Sequence, residues 1–177
     1  MAIDDFKGLD IDEIQPKRPK KLNGKKKGNR TELELTKILS NRFKQNFSRT
    51  VSSGARWSQA SLTEEATQIF SGDLVVPKGF KFVIESKGGY DSIDMSAVFI
   101  KGNSELDNFM KQVTDDSRRC GRSPMICWKK TRKPWLVFLL TRDLVGYEFE
   151  YTMKYKEWTG VALDHILNLN DDFFYQS

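Results

Sequence analysis

The chain has 177 residues and a formal charge of +5, enough for one domain with a proper core plus tails and cramped for two. A pI near 9.1 with clustered positive charge favours a polyanionic partner, nucleic acid or an anionic membrane surface, while no run approaches the roughly 18 consecutive apolar residues of a membrane span. His165 is the only histidine and Cys120 and Cys127 show neither CxxC nor Cys/His spacing, which sets aside histidine-rich metal sites, argues against Ser-His-Asp and Cys-His mechanisms, and predicts reduced thiols.

The first residues, MAIDDFKGLD, are acidic and lack an apolar h-region, so no signal peptide and an intracellular location are expected. Residues 1–29 read as a flexible arm, interrupted by Pro16, Pro19, Gly24 and Gly28. From Gln15 to Arg30 there are eight basic residues, Lys17, Arg18, Lys20, Lys21, Lys25, Lys26, Lys27 and Arg30, and no acid. A solubilising tail is one reading; an arm tracking phosphates fits that density better. Asn29 to Phe47 then reads as a helix, with Asn29 or Thr31 as N-cap. At about 100° per residue Leu35, Leu39 and Phe43 form one stripe with Glu32 in its middle, and Glu34 points the other way. An acid on a core-facing side costs free energy unless paired or bound to metal, yet acids in a first turn also suit the helix dipole, and both readings stay open.

Residues 47–60 begin as a short strand and pass into a Ser/Gly-rich loop where Arg49, Ser53 and Arg56 are placed to bind phosphate, unless the loop is only a linker. Residues 61–70 suggest a short amphipathic helix capped by Ser61 or Thr63. The stretch from Gly72, GDLVVPKGFKFVIESK, reads as a hairpin: Leu74 to Val76, a Pro77-Lys78-Gly79 turn, and a second strand from Phe80. Residues 88–104 look irregular, opening with Gly88-Gly89. Ser104 to Cys120 is a second helix with Leu106, Phe109, Met110 and Val113 on its apolar face and Gln112 one turn from Asn108. Strands are expected at Met125 to Lys129 and Trp135 to Leu140. From Arg118 to Lys133 there are seven basic residues, Arg118, Arg119, Arg122, Lys129, Lys130, Arg132 and Lys133, and no acid, a second positive patch. Arg142 to Trp158 suggests a helical turn plus a strand, and Val161 to Leu169 a short helix. The terminal DDFFYQS reads as a disordered tail, with a weak recruitment peptide as the second reading.

Side chains alternate across a strand, so Val83, Glu85 and Lys87 share one face and Phe82, Ile84 and Ser86 the other. With Asp73 at the start of the neighbouring strand, two carboxylates and an ammonium converge at one end of the sheet, which suits a hard divalent cation. A solvated strand end beside a turn-capping Asp73 is the alternative. Glu32, if it faces inward, is the natural third carboxylate.

Taken together, this order of elements resembles the PD-(D/E)xK nuclease superfamily, and within it the Holliday-junction resolvases of archaea and their relatives in bacterial viruses, over roughly residues 24–140. Lys27-Gly28 followed by Glu32, Arg49 before Ser53-Gly54, Asp73, Glu85-x-Lys87, Gln112, and Lys129 or Lys130 closing a strand match that family's pattern. Gly72 departs from it by standing where a proline precedes the metal aspartate, and the segment from Gly54 to Asp73 is longer. The chain after about residue 141 has no counterpart in the resolvases.

The resemblance implies an α/β, restriction-endonuclease-like core with a central mixed β-sheet flanked by helices, divided as a basic arm (1–29), nuclease core (30–141) and C-terminal extension packed on the core (142–177). It implies a Mg²⁺-dependent endonuclease, with Mn²⁺ able to substitute, acting on branched DNA as a homodimer in the cytoplasm of the host cell, if virus-encoded. Exposed Phe, Met or Trp residues on the 105–120 helix or the 134–140 strand would be interface material, unless they are simply core. Asp73, Glu85, the Ser86 carbonyl and Glu32 are the implied metal ligands, and Lys87, Ser53 and Gln112 join the three acids as catalytic residues. DNA contacts are expected from Lys25, Lys26, Lys27, Arg30, Arg49, Arg56, Arg118, Arg119, Lys129 and Lys130. A nicking, flap or linear-duplex endonuclease, or a non-catalytic basic DNA-binding module, are the competing readings.

Overall fold

A computed structural model of the chain describes residues 24–50 and 70–176. The stripe Leu35, Leu39 and Phe43 is buried on the inner side of α1, Gly24–Phe43. This helix begins at Gly24, inside the segment read as an arm, and stops at Phe43 short of Phe47, because Lys44 takes a φ of 54° and turns the chain. Phe47 then folds back on Phe43 with ring centroids 5.7 Å apart. Ser53, Arg56, residues 61–69 of the helix expected over 61–70 and the arm before Gly24 lie outside the described residues.

Strand β1 (Ser48–Arg49) pairs antiparallel with β2 (Leu74–Val75), so β2 is not half of a laddered hairpin as expected. Its link to β3 (Phe82–Gly88) is one hydrogen bond, the Asp73 N–H donating to the Ile84 carbonyl at 2.9 Å. The Pro77-Lys78-Gly79 turn does form, the Phe80 N–H reaching the Pro77 carbonyl at 3.2 Å.

The stretch read as irregular holds a helix, α2 (Met95–Lys101), capped by the Asp94 carboxylate on the Ser96 N–H at 2.9 Å. Helix α3 (Ser104–Cys120) has the expected bounds, is capped by Asn103 and ends at Gly121 in the left-handed region at φ 71°. Strands β4 (Ser123–Lys129) and β5 (Trp135–Leu140) follow, then a 3-10 turn at Thr141–Leu144, β6 (Met153–Tyr155) and β7 (Trp158–Ala162). The main sheet runs β3-β4-β5-β7-β6, with β3 and β4 parallel and every other pair antiparallel. Where the sequence suggested an extension packed on the core from residue 142, β6 and β7 are strands of the central sheet itself. Trp158–Ala162 is a strand partly where a helix was expected from Val161.

Alternation along the strands separates two apolar layers. Phe82, Ile84, Met125, Cys127, Val137 and Val161 face α1 and the C-terminal helices, α4 (Leu163–Leu167) and α5 (Asp171–Phe174). Val83, Ile126, Trp128, Phe138 and Trp158 face α2 and α3. Phe109, Met110 and Trp135 all lie in these layers, so the side chains considered for a dimer interface are core.

The terminal segment is docked, which corrects the disordered-tail reading. Phe173 and Phe174 are buried, the Lys81 N–H donates to the Phe174 carbonyl at 2.7 Å, and the Gln176 N–H to the Gly79 carbonyl at 2.8 Å. The rings that a recruitment peptide would display are inside the protein. Arg42 of α1 holds the chain leading into this segment through the carbonyls of Leu167 and Leu169 at 2.5 and 2.8 Å, and the segment itself through the Asp171 carboxylate at 2.9 Å. Both cysteines are free and buried, and burial pushes the Cys127 thiol up to about 12. Among the described residues no helix is long and apolar enough to cross a membrane.

Candidate active site

Strand β3 changes character along its length. Phe82, Val83 and Ile84 are buried between the two layers, and the polar Glu85-Ser86-Lys87 follows at the end where the parallel β4 also finishes, Lys87 lying beside Trp128. Val83 and Lys87 face α3: the Lys87 Nζ bonds Glu85 Oε1, donates to Gln112 Oε1 at 3.0 Å and sits 5.2 Å from the Phe109 ring centre. Asp73 is fastened across β3 by its own N–H on the Ile84 carbonyl and by the Ser86 N–H donating to its Oδ2 at 2.8 Å.

Two glycines make this approach possible. Gly72 has φ 76°, and a Cβ there would stand 2.7 Å from the Ile84 carbonyl oxygen and 2.8 Å from Val83 Cγ2. A proline, whose φ is locked near −65°, cannot occupy that backbone, so Gly72 is a requirement of this chain's geometry and not a neutral exchange. At Gly88 a Cβ would lie 2.2 Å from Thr31 Oγ1. Its absence lets α1 cross the end of β3.

Burial, reinforced by the neighbouring Asp73 carboxylate, pushes Glu85 up to about 8 against the pull of Lys87. Asp73 is raised too, mainly by burial, which outweighs the Ser86 N–H and Lys87. Burial alone would lower Lys87, but Glu85 and Asp73 outweigh it and raise it. The two carboxyl groups thus behave as a pair holding a proton at neutral pH. Glu85 is 1% exposed, and its buried Oε2 receives no N–H or hydroxyl hydrogen bond among the described residues; the Asp73 carboxyl, with which Glu85 shares the proton, is the group within its reach. Buried acceptors of this kind are normally satisfied.

An orphaned carboxylate oxygen beside a second carboxylate is a hard, anionic donor set, and it fits a divalent cation such as Mg²⁺ or Mn²⁺. Among the described residues no group of three or more His, Cys, Asp or Glu side chains forms a closed cage. The remaining ligands would be backbone, water or substrate phosphate, as is usual for Mg²⁺.

Glu32 faces inward as its stripe position suggested and is 7% exposed, but it is engaged elsewhere. Its Oε2 accepts from Arg49 Nε at 2.5 Å, while Arg49 Nη2 donates to Asn29 Oδ1 at 2.8 Å. Burial raises Glu32, with Arg49 opposing. Glu34, read as pointing away, reaches the sheet instead: it bonds Lys129 and accepts from Trp135 Nε1 at 3.2 Å. Burial would raise it, but those two donors outweigh burial and lower it. Two cations expected to hold phosphates, Arg49 and Lys129, are therefore each bonded to an acid of α1.

The other expected DNA contacts are dispersed. Lys130 donates to the Ile93 carbonyl at 2.7 Å. Arg118 and Arg119 lie six and seven residues beyond Gln112 on α3, about 9–10 Å further along its axis, paired with Asp115 and Asp116 and complementing the helix dipole. Arg30 is exposed on α1, and Lys25, Lys26 and Lys27 fall in its first two turns.

The sequence reads the loop at 89–94 only as irregular chain that could close over a substrate, and names no site residue in it. Gly89 exchanges bonds with β4, its N–H on the Lys129 carbonyl at 2.8 Å and its carbonyl receiving Trp128 Nε1 at 3.0 Å. Asp91 accepts from the Thr131 N–H and hydroxyl at 2.7 and 2.6 Å. The only signal in the chain was the Gly88-Gly89 pair.

A mixed sheet with helices on both faces, carrying Asp73 and Glu85-Ser86-Lys87 at one end, has the restriction-endonuclease-like fold and defines a PD-(D/E)xK nuclease. The family model "Phage putative PDDEXK endonuclease" matches residues 23–173, and the chain belongs to that family. The match runs well past residue 141, where the resemblance to the resolvases ended. No curated protein and no solved structure matches the chain.

Proposed function

We propose that this PD-(D/E)xK endonuclease is a metal-dependent, structure-selective enzyme that resolves four-way DNA junctions by paired symmetric nicks. The observation that carries the chemistry is the buried Glu85 Oε2, satisfied by no N–H or hydroxyl and set against Asp73, with Lys87 fixed beside both by Gln112. Asp73, Glu85 and the Ser86 carbonyl would hold Mg²⁺, with Mn²⁺ able to substitute. When bound, the cation supplies a polarised phosphoryl oxygen and a water acidic enough to attack. Lys87 places its ammonium against the developing negative charge and orients the water, and Gln112 holds that ammonium in position. Glu32 acts from outside the metal's ligands by holding Arg49, which transfers to a DNA phosphate as substrate enters; Ser53 is the companion contact.

Selectivity for junctions is supported by the run of motifs from Lys27-Gly28 and Glu32 through Gln112 shared with the resolvases. A junction of near two-fold symmetry needs two cuts, so a homodimer inside the infected host cell is the matching assembly. The test is cleavage of a labelled four-way junction beside a linear duplex of the same sequence, with Mg²⁺ and with EDTA. Paired nicks in the junction alone, lost in EDTA, are expected. Equal cutting of both substrates assigns the same site to nicking, flap or linear-duplex work, and tight binding without cutting assigns a non-catalytic role.

A further inference from the structure

Tyr90 stands two residues beyond the end of β3 in a conformation that bulky residues seldom adopt, φ 53°, and remains 39% exposed. Such strain persists only where the surroundings over-determine it, and here they do. The Ile93 N–H donates to the Tyr90 carbonyl at 3.1 Å, and on either side Gly89, Asp91 and Ile93 are bonded to Trp128, Lys129, Lys130 and Thr131. The ring rests edge-on against Phe109, centroids 4.6 Å apart, and Phe109 carries the Lys87 ammonium 5.2 Å from its own centre.

The β4–β5 turn, fused to this loop, ends in Arg132 and Lys133, both exposed. Among the described residues neither side chain has a hydrogen-bond or ion-pair partner. Arg49, Lys129, Arg118 and Arg119, in contrast, all have acidic partners.

We infer that the 89–94 loop and the β4–β5 turn form one DNA-binding platform, in which Tyr90 stacks on the base face left uncovered at the branch point, beside the active site, while Arg132 and Lys133 hold that strand's phosphates. The inference rests on the nuclease reading above and gives its preference for branched DNA a physical origin. A continuous duplex keeps every base face covered by its neighbour, whereas at a branch point the stack is interrupted and a base face is open to the ring.

The experiment is titration, in EDTA so that nothing is cut, of a four-way junction carrying 2-aminopurine at the branch and of a linear duplex. Wild type is expected to quench the fluorophore. Tyr90→Gly removes the ring while giving the backbone the residue that its φ favours, so the fold is kept. It should lose the quench and bind the junction about 5- to 100-fold more weakly, with duplex binding unchanged, and Tyr90→Phe should behave as wild type. Arg132→Ala/Lys133→Ala should weaken both DNAs and reduce the salt slope by about two. A Tyr90→Gly protein that quenches and binds as wild type does, or that weakens on both DNAs alike, overturns the stacking role; an unchanged salt slope overturns the phosphate contacts. Wild type that quenches but cuts no DNA when Mg²⁺ is added overturns the nuclease reading and leaves the platform standing.

Discussion

The two ends of strand β3 were built under opposite rules. At its start, Phe80 and Phe82 enter an aromatic cluster with Phe43, Phe47, Phe173 and Phe174, whose neighbouring rings lie about 5–6 Å apart. At its finish, over residues 85–87 against Asp73, sit a carboxyl pair, a half-buried ammonium and a carboxyl oxygen that no N–H or hydroxyl satisfies. One end gathers apolar area and edge-to-face ring contacts, which stabilise the fold. The other concentrates charge in a buried setting, which costs stability and is what phosphate chemistry uses. Variants at the two ends should therefore fail in different assays.

The largest effect belongs to the charged end. Asp73→Asn, Glu85→Gln and Lys87→Ala should each lower cleavage by about a thousandfold or more, while leaving DNA binding in EDTA largely intact. Glu85→Gln is the sharpest of them, since a carboxamide copies the protonated acid and should not lower the melting temperature at neutral pH. Cleavage retained by any of the three would remove this site from the mechanism. At the aromatic end Phe80→Ala, at a position 1% exposed, should cost about 3–5 kcal/mol in chemical denaturation and leave the cleavage rate of the protein that remains folded near that of wild type. Loss of both stability and intrinsic rate would show the two ends to be coupled.

Between the ends lies Gly72, and it should report on both. Gly72→Ala meets the Ile84 carbonyl and an unfavourable φ together, a cost of about 2–4 kcal/mol. Because Asp73 is the next residue, cleavage should fall along with stability. A variant that keeps wild-type stability would show that the backbone at this position relaxes freely.

How much of this was legible in the sequence follows from how local each cause is. The alternation that puts Glu85 and Lys87 on Val83's face is a property of any strand, and the apolar face of α3 and its Gly121 stop are encoded within seventeen residues. Those were readable. The partner of β2 was not, because pairing with β1 is a long-range choice and the run Leu74 to Val76 suits either neighbour. Nor was the engagement of Glu32 and Glu34: helical periodicity says which way an acid points, but not that Arg49 and Lys129 wait there. DDFFYQS reads as a tail by composition, yet two phenylalanines find a pocket only because Phe43 and Phe80 have been brought together from distant parts of the chain. Position 72 shows the same limit, since a glycine in place of proline looks neutral until φ is known.

The smallest expected effect is on pH dependence, and it separates the ends cleanly. A buried acid raised from an ordinary value of 4.5 to about 8 keeps its proton in the folded protein, whereas the unfolded chain gives it up above its ordinary value. Between those limits the folded state binds more protons than the unfolded one, so stability is greatest on the acid side and declines as pH rises toward 8. For Glu85 the slope is at most about 1.4 kcal/mol per pH unit, or about 2–4 °C in melting temperature for each kcal/mol in a domain of this size. The metal-free protein should thus melt lower at pH 7 than at pH 6, and Glu85→Gln should lose most of that difference, whereas Phe80→Ala should shift the whole curve down and keep its slope. Added Mg²⁺ should flatten the wild-type curve, because a cation that takes the place of the proton stabilises the ionised pair most where the proton is held least. A slope that survives in Glu85→Gln would transfer the titration to Asp73 or Glu32, the two other acids that burial raises at this end.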